Sequence, residues 1–272
     1  MLFRLAIAIV SMTALLVDPP DAVSQDLLAG VDLNSPEMST PETTRADVDA
    51  LLKATHRDAA DQHPADLQGK RLSKLDLSGL DFSGSNLRLA KLNRTNLKGA
   101  RLDRAVLNQA WLIEADLTDA SLAKATLLAT QMQRAKLGGA DLSGARIAAD
   151  LSGASLVGAN LSGADFSADM RNQSMGLMRG VLRSADLRNA NLAGANLARA
   201  DLQFAKLRNA NLANCNLTRA DLAGADLSNA NLAGADFTEA DLASTLLPSA
   251  GVLAAARNLD KARNLNQARR PP

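Results

Sequence analysis

The chain has 272 residues, enough for one large domain or two small ones. It carries 30 Lys and Arg against 29 Asp and Glu, and this net charge of +1 points to no general affinity for nucleic acid. Aromatic residues make up 2 % and Tyr is absent, so any core must consist of small and aliphatic side chains. The single cysteine, Cys215, excludes an intramolecular disulfide and a cysteine-based zinc cluster.

The N-terminus has the pattern of an export signal. The basic stretch MLFR precedes residues 5–17, which carry no charge and are too few to span a bilayer comfortably. Small residues at Ala22 and Ser24 predict cleavage after Ser24, so residues 1–24 are interpreted as a signal peptide. The mature chain is therefore expected in the periplasm or outside the cell. The alternative is an uncleaved segment that remains as an anchor.

The next segments predict a linker and a helical cap. Residues 25–38 have the composition of a linker, and residues 39–64 are predicted to form an N-terminal helical cap. Ser39 and Glu42 have capping-box spacing, with Pro41 in the first turn. The helix would present one apolar stripe, formed by Val48, Leu51, Leu52 and Thr55.

A five-residue period governs residues 65–247. In ADLSNANLAGADF the large apolar residues are Leu227, Leu232 and Phe237. Five steps along an α-helix rotate a side chain by about 140° from its starting face, and an odd step along a strand moves it to the opposite face. Neither structure gathers these residues on one side. A chain that bends at every unit does so, which predicts a solenoid whose coils pair through backbone hydrogen bonds.

The units ADLSN, ANLAG, ANLAR and ADLAG resemble the A(D/N)LXX unit of the pentapeptide-repeat family. The resemblance implies an all-β solenoid, a right-handed quadrilateral β-helix with four units per coil and about nine coils over residues 65–247. Because open strand edges at both ends need covers, short α-helical caps are expected at each end. Some family members dimerise through a C-terminal element, which implies a homodimer through the C-terminal helix as one option for this chain.

The period is irregular over residues 147–182. The step from Ile147 to Leu182 is 35 residues, equal to seven units of five, with Met170 and Met175 as central residues. Because 35 is a multiple of five, the repeat is expected to return to its original register by Leu182. This predicts a continuous tube with a bulged loop at residues 169–180. Three methionines there suggest either a soft-metal or hydrophobic contact site, or degenerate units filled by adaptable side chains.

The C-terminal segment, residues 248–272, is predicted to be a helix and a tail. Ser249 is a suitable N-cap for a helix over residues 250–268. Its apolar stripe would consist of Val252, Ala255, Ala256, Leu259 and Ala262.

No catalytic constellation is recognisable, so no enzymatic activity and no cofactor are expected. The two histidines, His56 and His63, lie near Asp58 and Asp61, which leaves a metal site open as an alternative to solvated polar residues at a helix end. The many Asp residues recur at one position of the repeat, which indicates a backbone role and not an acid–base pair. Cys215 occupies an Ala position of the repeat and is predicted to be a buried, inert thiol.

Residues twenty apart stack on one face of a twenty-residue coil, so surface columns are predictable. One face departs strongly from the repeat consensus and combines cations with the single Trp, which favours recognition of a partner. This first candidate face comprises Arg71, Lys74, Lys91, Arg94, Trp111, Ile113 and Arg134. A second candidate set comprises Arg101, Arg104 and Lys124.

Together these features predict an exported, non-enzymatic scaffold or interaction module that binds an unknown protein or envelope component. The alternative is a DNA mimic that modulates type II topoisomerases, an activity implied by the family resemblance. A mimic needs a strongly acidic surface, whereas residues 65–247 hold 21 Lys and Arg and 18 Asp and Glu. The signal peptide also argues against this alternative, and no nucleic acid partner is expected.

Overall fold

A computed structural model describes residues 31–57, 64–168 and 178–270. The chain divides into two compact units, Met1–Leu33 and Asn34–Pro272. Of the first unit only residues 31–33 are described, and they form neither helix nor strand. The described residues of the second unit hold three α-helices, α1 (Pro36–Ser39), α2 (Arg45–Arg57) and α3 (Ala250–Leu253), and two single-turn 3₁₀-helices, Leu259–Lys261 and Leu265–Gln267.

Most of the second unit is a stack of four-sided coils. Its described residues contain isolated parallel bridges in place of extended strands, and most bridged pairs are twenty residues apart, as in Arg71–Lys91 and Lys91–Trp111. Four bridges follow one another in each coil at five-residue intervals. The predicted solenoid is therefore confirmed, and residues twenty apart stack along its axis as expected.

A tight turn closes each unit. In the unit of Leu87, the amide of Ala90 donates to the Leu87 carbonyl at 3.1 Å, and Leu89 adopts a φ of 60°. A β-turn with positive φ at its third residue bends the chain sharply. The two side chains in the turn consequently point outward at a corner of the tube, where most of them are partly or fully exposed.

The tube interior consists of the central Leu or Phe residues and the small residues between them. Leu227, Leu232 and Phe237 are fully buried, and the flanking Ala residues are equally inaccessible. Cys215 is 1 % exposed in an Ala position, and its Sγ donates to the Leu192 carbonyl at 2.8 Å. Burial raises the pKa of this thiol to about 12. The prediction of a buried thiol is confirmed, and its ionised, nucleophilic form is suppressed.

The irregular region differs from the seven-unit arithmetic. The bridge Gln131–Asp150 joins residues 19 apart, and Asp150 then pairs with Val181, 31 residues on. The amide of Gly180 donates to the Phe166 carbonyl at 2.9 Å, so the ladder passes directly from the Asp165 unit to the Val181 unit.

The 35 residues from Ile147 to Leu182 therefore comprise steps of 4, 5, 5, 5 and 16. The predicted units centred on Met170 and Met175 lie outside the described residues. The step shortened by one residue and the long insertion together restore a multiple of five. The sequence period alone therefore cannot distinguish this arrangement from seven regular units. The tube is continuous as predicted, while the predicted loop at 169–180 lies mostly outside the described residues.

The predicted C-terminal helix over residues 250–268 is wrong. Beyond the four residues of α3, Arg257, Arg263 and Arg269 bridge to Asp236, Asp241 and Leu246, so the chain continues the coil stack at a six-residue spacing. Asn258 and Asn264 adopt left-handed conformations, with φ of 54° and 56°, which interrupt a helix. The long C-terminal helix through which a homodimer was expected to form is therefore not present in the described residues.

Asp236 connects this last segment to the tube. Its carboxylate accepts from the Asn258 amide at 2.9 Å and from the Thr238 hydroxyl at 2.7 Å. These hydrogen bonds, that of Asn258 foremost, together with the nearby Arg257 guanidinium, lower the pKa of Asp236 to about 2. The ionised carboxylate is therefore part of the attachment.

We expect acid to weaken this attachment. A carboxyl whose pKa is lowered by folding contributes stability above its unfolded pKa of about 4, and loses it as the pH falls towards the folded value. Asp236→Asn should therefore reduce the free energy of unfolding at neutral pH, and the difference from the unsubstituted chain should shrink between about pH 4 and pH 2. Urea titrations of both chains at several pH values measure this difference in the free energy of unfolding. A difference that is independent of pH would contradict the assignment.

The N-terminal cap also starts elsewhere than predicted. The capping box is formed by Thr44 and Asp47: the Thr44 amide donates to the Asp47 carboxylate at 3.0 Å, and the Asp47 amide donates to the Thr44 hydroxyl at 3.3 Å. Ser39 is the last residue of α1, and the Glu42 amide instead pairs with the Arg71 carbonyl at 3.0 Å.

Two residues of the predicted apolar stripe on α2 pack into the core. Val48 and Leu52 are 2 % and 3 % exposed, whereas Leu51 is 37 % exposed and turns away from the tube. Part of the predicted linker is structured too, since residues 34–38 contain the first turn of α1 and contact the tube.

Candidate interaction surface

The structure assembles the first candidate face as predicted. Arg71, Lys91 and Trp111 are consecutive members of one bridge ladder. Lys74, Arg94 and Arg134 stand at the same position of the following turn, on three of four successive coils, with Glu114 on the remaining one. The periodicity of the sequence was sufficient to place these side chains together.

The chain's own N-terminal segment occupies this face. The Glu37 carboxylate lies 2.9 Å from the Lys91 ammonium, and the Arg94 guanidinium donates to the Asn34 side chain at 3.2 Å. The Met38 carbonyl accepts from the Asn93 amide at 3.3 Å, and Met38 is 7 % exposed. The cations that the sequence offers to a partner are thus largely satisfied within the chain.

Most of the remaining charges of the first face also pair. The Arg71 guanidinium lies 3.3 Å from the Glu42 carboxylate, whereas the exposed Lys74 forms no side-chain salt bridge or hydrogen bond with the described residues. The Glu114 carboxylate receives Arg94 at 2.8 Å on one oxygen and Arg134 at 2.8 Å on the other. Hydrogen bonds from Arg94 and then Arg134 lower the pKa of Glu114. Ile113 is 2 % exposed and Trp111 is half-buried, so the expected exposed apolar pair is wrong for Ile113.

Glu37 provides a test of this intramolecular contact. Its salt bridge with Lys91 lowers the pKa of Glu37, and Glu37→Lys would place two cations together. We expect the segment to leave the face and the buried Met38 thioether to react severalfold faster with peroxide, measured by peptide mass spectrometry. Asp260→Lys, the same charge change at an exposed C-terminal position, is the control. Equal Met38 oxidation in both variants would show that Glu37 does not hold the segment.

The second candidate set is only partly free. Arg101 lies 3.4 Å from Asp81 and 3.8 Å from Asp103. Arg104 and Lys124, one coil apart, are exposed, and their side chains form no salt bridge or hydrogen bond with the described residues. The structure therefore separates Arg101 from the other two members.

Arg104 and Lys124 border a face that the sequence analysis did not single out. We call it the Leu89–Leu128 face; it comprises residues 86–90, 106–110 and 126–130, stacked through the bridges Asn86–Val106 and Val106–Thr126. It contains no carboxylate. Leu89 is 42 % exposed, Val106 and Leu128 are half-buried, and Arg88 is exposed without a side-chain partner among the described residues.

A departure from the repeat marks this face. Elsewhere the Asp or Asn before the central residue accepts the amide two positions on, as Asp141 does from Ser143 at 2.9 Å. Val106 stands at this position and has no acceptor, and the Leu128 amide is satisfied by Asn108 of the preceding coil at 3.0 Å. The sequence shows this departure as Val106 and Thr126 at positions that usually hold Asp or Asn. Because these two side chains are uncharged, a search for clusters of charged residues does not find them.

The described residues were also compared with the requirements of a metal site and of a membrane-spanning helix. They contain no group of three or more His, Cys, Asp or Glu side chains arranged to hold a metal, and none of their helices is long and apolar enough to cross a membrane. The open alternative of a metal site at His56 and His63 concerns side chains outside the described part of the chain.

Family comparison resolves the class of the protein. The pentapeptide-repeat model matches eight copies, over residues 71–109, 110–147, 147–168, 181–214 and 215–247. The chain belongs to the pentapeptide-repeat family. No curated protein sequence matches it significantly.

The solved structure of one pentapeptide-repeat protein shares the architecture, and two further ones show weaker similarity. HetL, a protein involved in heterocyst differentiation regulation from the cyanobacterium Nostoc sp. strain PCC 7120, is 32 % identical with a TM-score of 0.53; the match covers 79 % of this chain and 92 % of HetL. The plasmid-mediated fluoroquinolone resistance protein QnrB1 is 16 % identical over 76 % of this chain and 91 % of its own, with a TM-score of 0.48. A third protein, from the Arabidopsis thaliana thylakoid lumen, is 25 % identical over 61 % and 66 % of the two chains, with a TM-score of 0.22.

Proposed function

We propose that this pentapeptide-repeat protein is an exported, non-enzymatic interaction module whose right-handed rod binds an envelope component through the Leu89–Leu128 face. The predicted signal peptide supports export. The carrying observation is that this face combines the exposed Leu89 and two half-buried aliphatic side chains with cations that have no partner in the described chain.

The contrast with the first candidate face decides between the two surfaces. There, Lys91, Arg94 and Arg134 are held by Glu37 and Glu114, so a partner would have to displace existing contacts. On the Leu89–Leu128 face a partner gains contacts without breaking any that are seen here. Local departures from a repeat that bring no evident stability are where function is expected.

Site-specific photo-crosslinking in fractionated cells tests the proposal. A benzophenone amino acid at Gln109, an exposed turn residue of this face, should crosslink to a component of the envelope fraction. The same probe at Asn229 is a matched control, because this residue is exposed, has the same turn position and lies on another face. A chain found uncleaved in the cytosol, or equal crosslinking at the two positions, would refute the proposal.

A further inference from the structure

We infer that the Leu89–Leu128 face docks the tube onto an anionic lipid surface; this rests on the proposed function and names the chemistry of its partner. Val106 lies in the middle of the face, Leu89 and Leu128 lie at the corner that follows it, and cations stand at both corners. Arg104 and Lys124 lie at the corner before the face, and Arg88 lies at the corner after it. Apolar groups between basic side chains are the pattern of interfacial membrane binding.

The backbone makes this face a rigid platform. The Leu89 amide donates to the Asn108 carbonyl at 3.0 Å, and the Gln109 amide to the Leu128 carbonyl at 2.8 Å. On the preceding corner, the Arg104 amide donates to the Ala123 carbonyl at 2.9 Å, which holds Arg104 and Lys124 on adjacent coils. With coils about 4.8 Å apart, both cations can reach headgroups of a single layer.

The acidic groups next to the face are Asp66 on the preceding coil and Asp103 in the adjacent corner, and neither forms a salt bridge with these three cations. Asp103 precedes Arg104 in the same turn, and its carboxylate is hydrogen-bonded to the Ser121 hydroxyl and to the Ala123 amide. On the following coil, Arg146 is paired with Asp165 at 2.8 Å and closes the face on that side. The three cations Arg88, Arg104 and Lys124 thus leave a local excess of positive charge.

The size of the face favours lipid over a folded protein. Three stacked units offer on the order of 200 Å², whereas a stable protein interface buries about 800 Å² on each partner and centres on large anchors. Trp111, the nearest candidate for an anchor, is half-buried on the neighbouring face. Lipid headgroups bind one at a time and need no minimum area.

The expected strength is modest. A cation near an anionic leaflet strengthens binding about fivefold, so three cations supply a factor on the order of 100. Stable attachment takes a second signal, such as a tether or a high local concentration. The face is therefore expected to orient a chain already held near the membrane.

Vesicle co-sedimentation of the full chain tests the inference. Binding to vesicles of equimolar phosphatidylcholine and phosphatidylglycerol should exceed binding to phosphatidylcholine alone. The triple variant Arg88→Glu, Arg104→Glu, Lys124→Glu should lose this excess, on the order of 100-fold or more. The control variant Arg199→Glu, Lys206→Glu, Arg208→Glu changes three other cations whose side chains form no salt bridge or hydrogen bond with the described residues, and it should keep most of this excess. Unchanged circular dichroism verifies folding of both variants.

Three results would overturn the inference: no preference for phosphatidylglycerol, equal losses in the two triple variants, or retention of binding after reversal at Arg88, Arg104 and Lys124. In each case a protein crosslinked specifically through Gln109 would show that the face binds protein, so that the interaction module stands without lipid. If neither a specific crosslink nor vesicle binding is found, both the proposed interaction module and the lipid-docking inference are refuted.

Discussion

Leu122→Ala is expected to lower the free energy of unfolding by about 3–5 kcal/mol, because the deletion leaves a cavity in a core that cannot collapse around it. Leu122 is fully buried at the tube axis. Its own amide donates to the Asp141 carbonyl at 2.6 Å, and the preceding Ser121 amide donates to the Ala100 carbonyl at 2.9 Å. The coils are thereby held at a constant spacing, and relaxation into the cavity is restricted.

Leu89→Ala is the matched control, since Leu89 is 42 % exposed at a corner of the same tube. It should change stability by roughly 0.5 kcal/mol or less. Urea unfolding followed by circular dichroism measures both variants. In a solenoid each coil contacts only its neighbours, so hydrogen exchange should also show the loss for Leu122→Ala concentrated in adjacent coils. Equal losses for the two variants would contradict the assignment of inward and outward positions.

Cys215→Leu is expected to be destabilising by about 3 kcal/mol, at the upper end of the range for overpacking. Cys215 is 1 % exposed and occupies the position that Ala fills in most units. Because the backbone ladder holds the coils together above and below, the two additional non-hydrogen atoms of Leu find no space without off-rotamer side chains or broken bridges. Thermal unfolding measures the loss.

Cys215→Ala controls for the loss of the thiol itself, and it should change stability by about 1 kcal/mol or less because the position accepts Ala elsewhere. In the unsubstituted chain the buried thiol should resist alkylation until the tube opens, consistent with its raised pKa. A stable Cys215→Leu variant would show that the interior has more room than its packing indicates.

The candidate site shows where sequence reasoning was sufficient and where it failed. Stacking at twenty residues brought Arg71, Lys91 and Trp111 together as predicted, since the coil length alone determines it. Whether such cations are free depends on groups far along the chain. Glu37 is 54 residues from Lys91, and no period relates the two positions.

The errors at the ends and in the middle have a related cause. Asn258 and Asn264 break a helix because their side chains bond to Asp236 and Asp241 of the previous coil. The insertion after Asp165 is recognised only because Val181 pairs with Asp150. Both features depend on contacts between coils, and the spacing of apolar residues along the chain does not predict such contacts.

The sequence by itself determined the solenoid, the inward position of each central Leu and the burial of Cys215. A five-residue period leaves one way to bury its apolar residues, and it is repeated often enough to exclude the alternatives. The tertiary structure decided which outward groups are free. Arg94 and Arg134 are held by Glu114, whereas Arg88, Arg104 and Lys124 have no such partner and lie near the exposed Leu89. The physical reason is that burial follows a local pattern, while charge pairing depends on which residues the fold brings within a few ångströms.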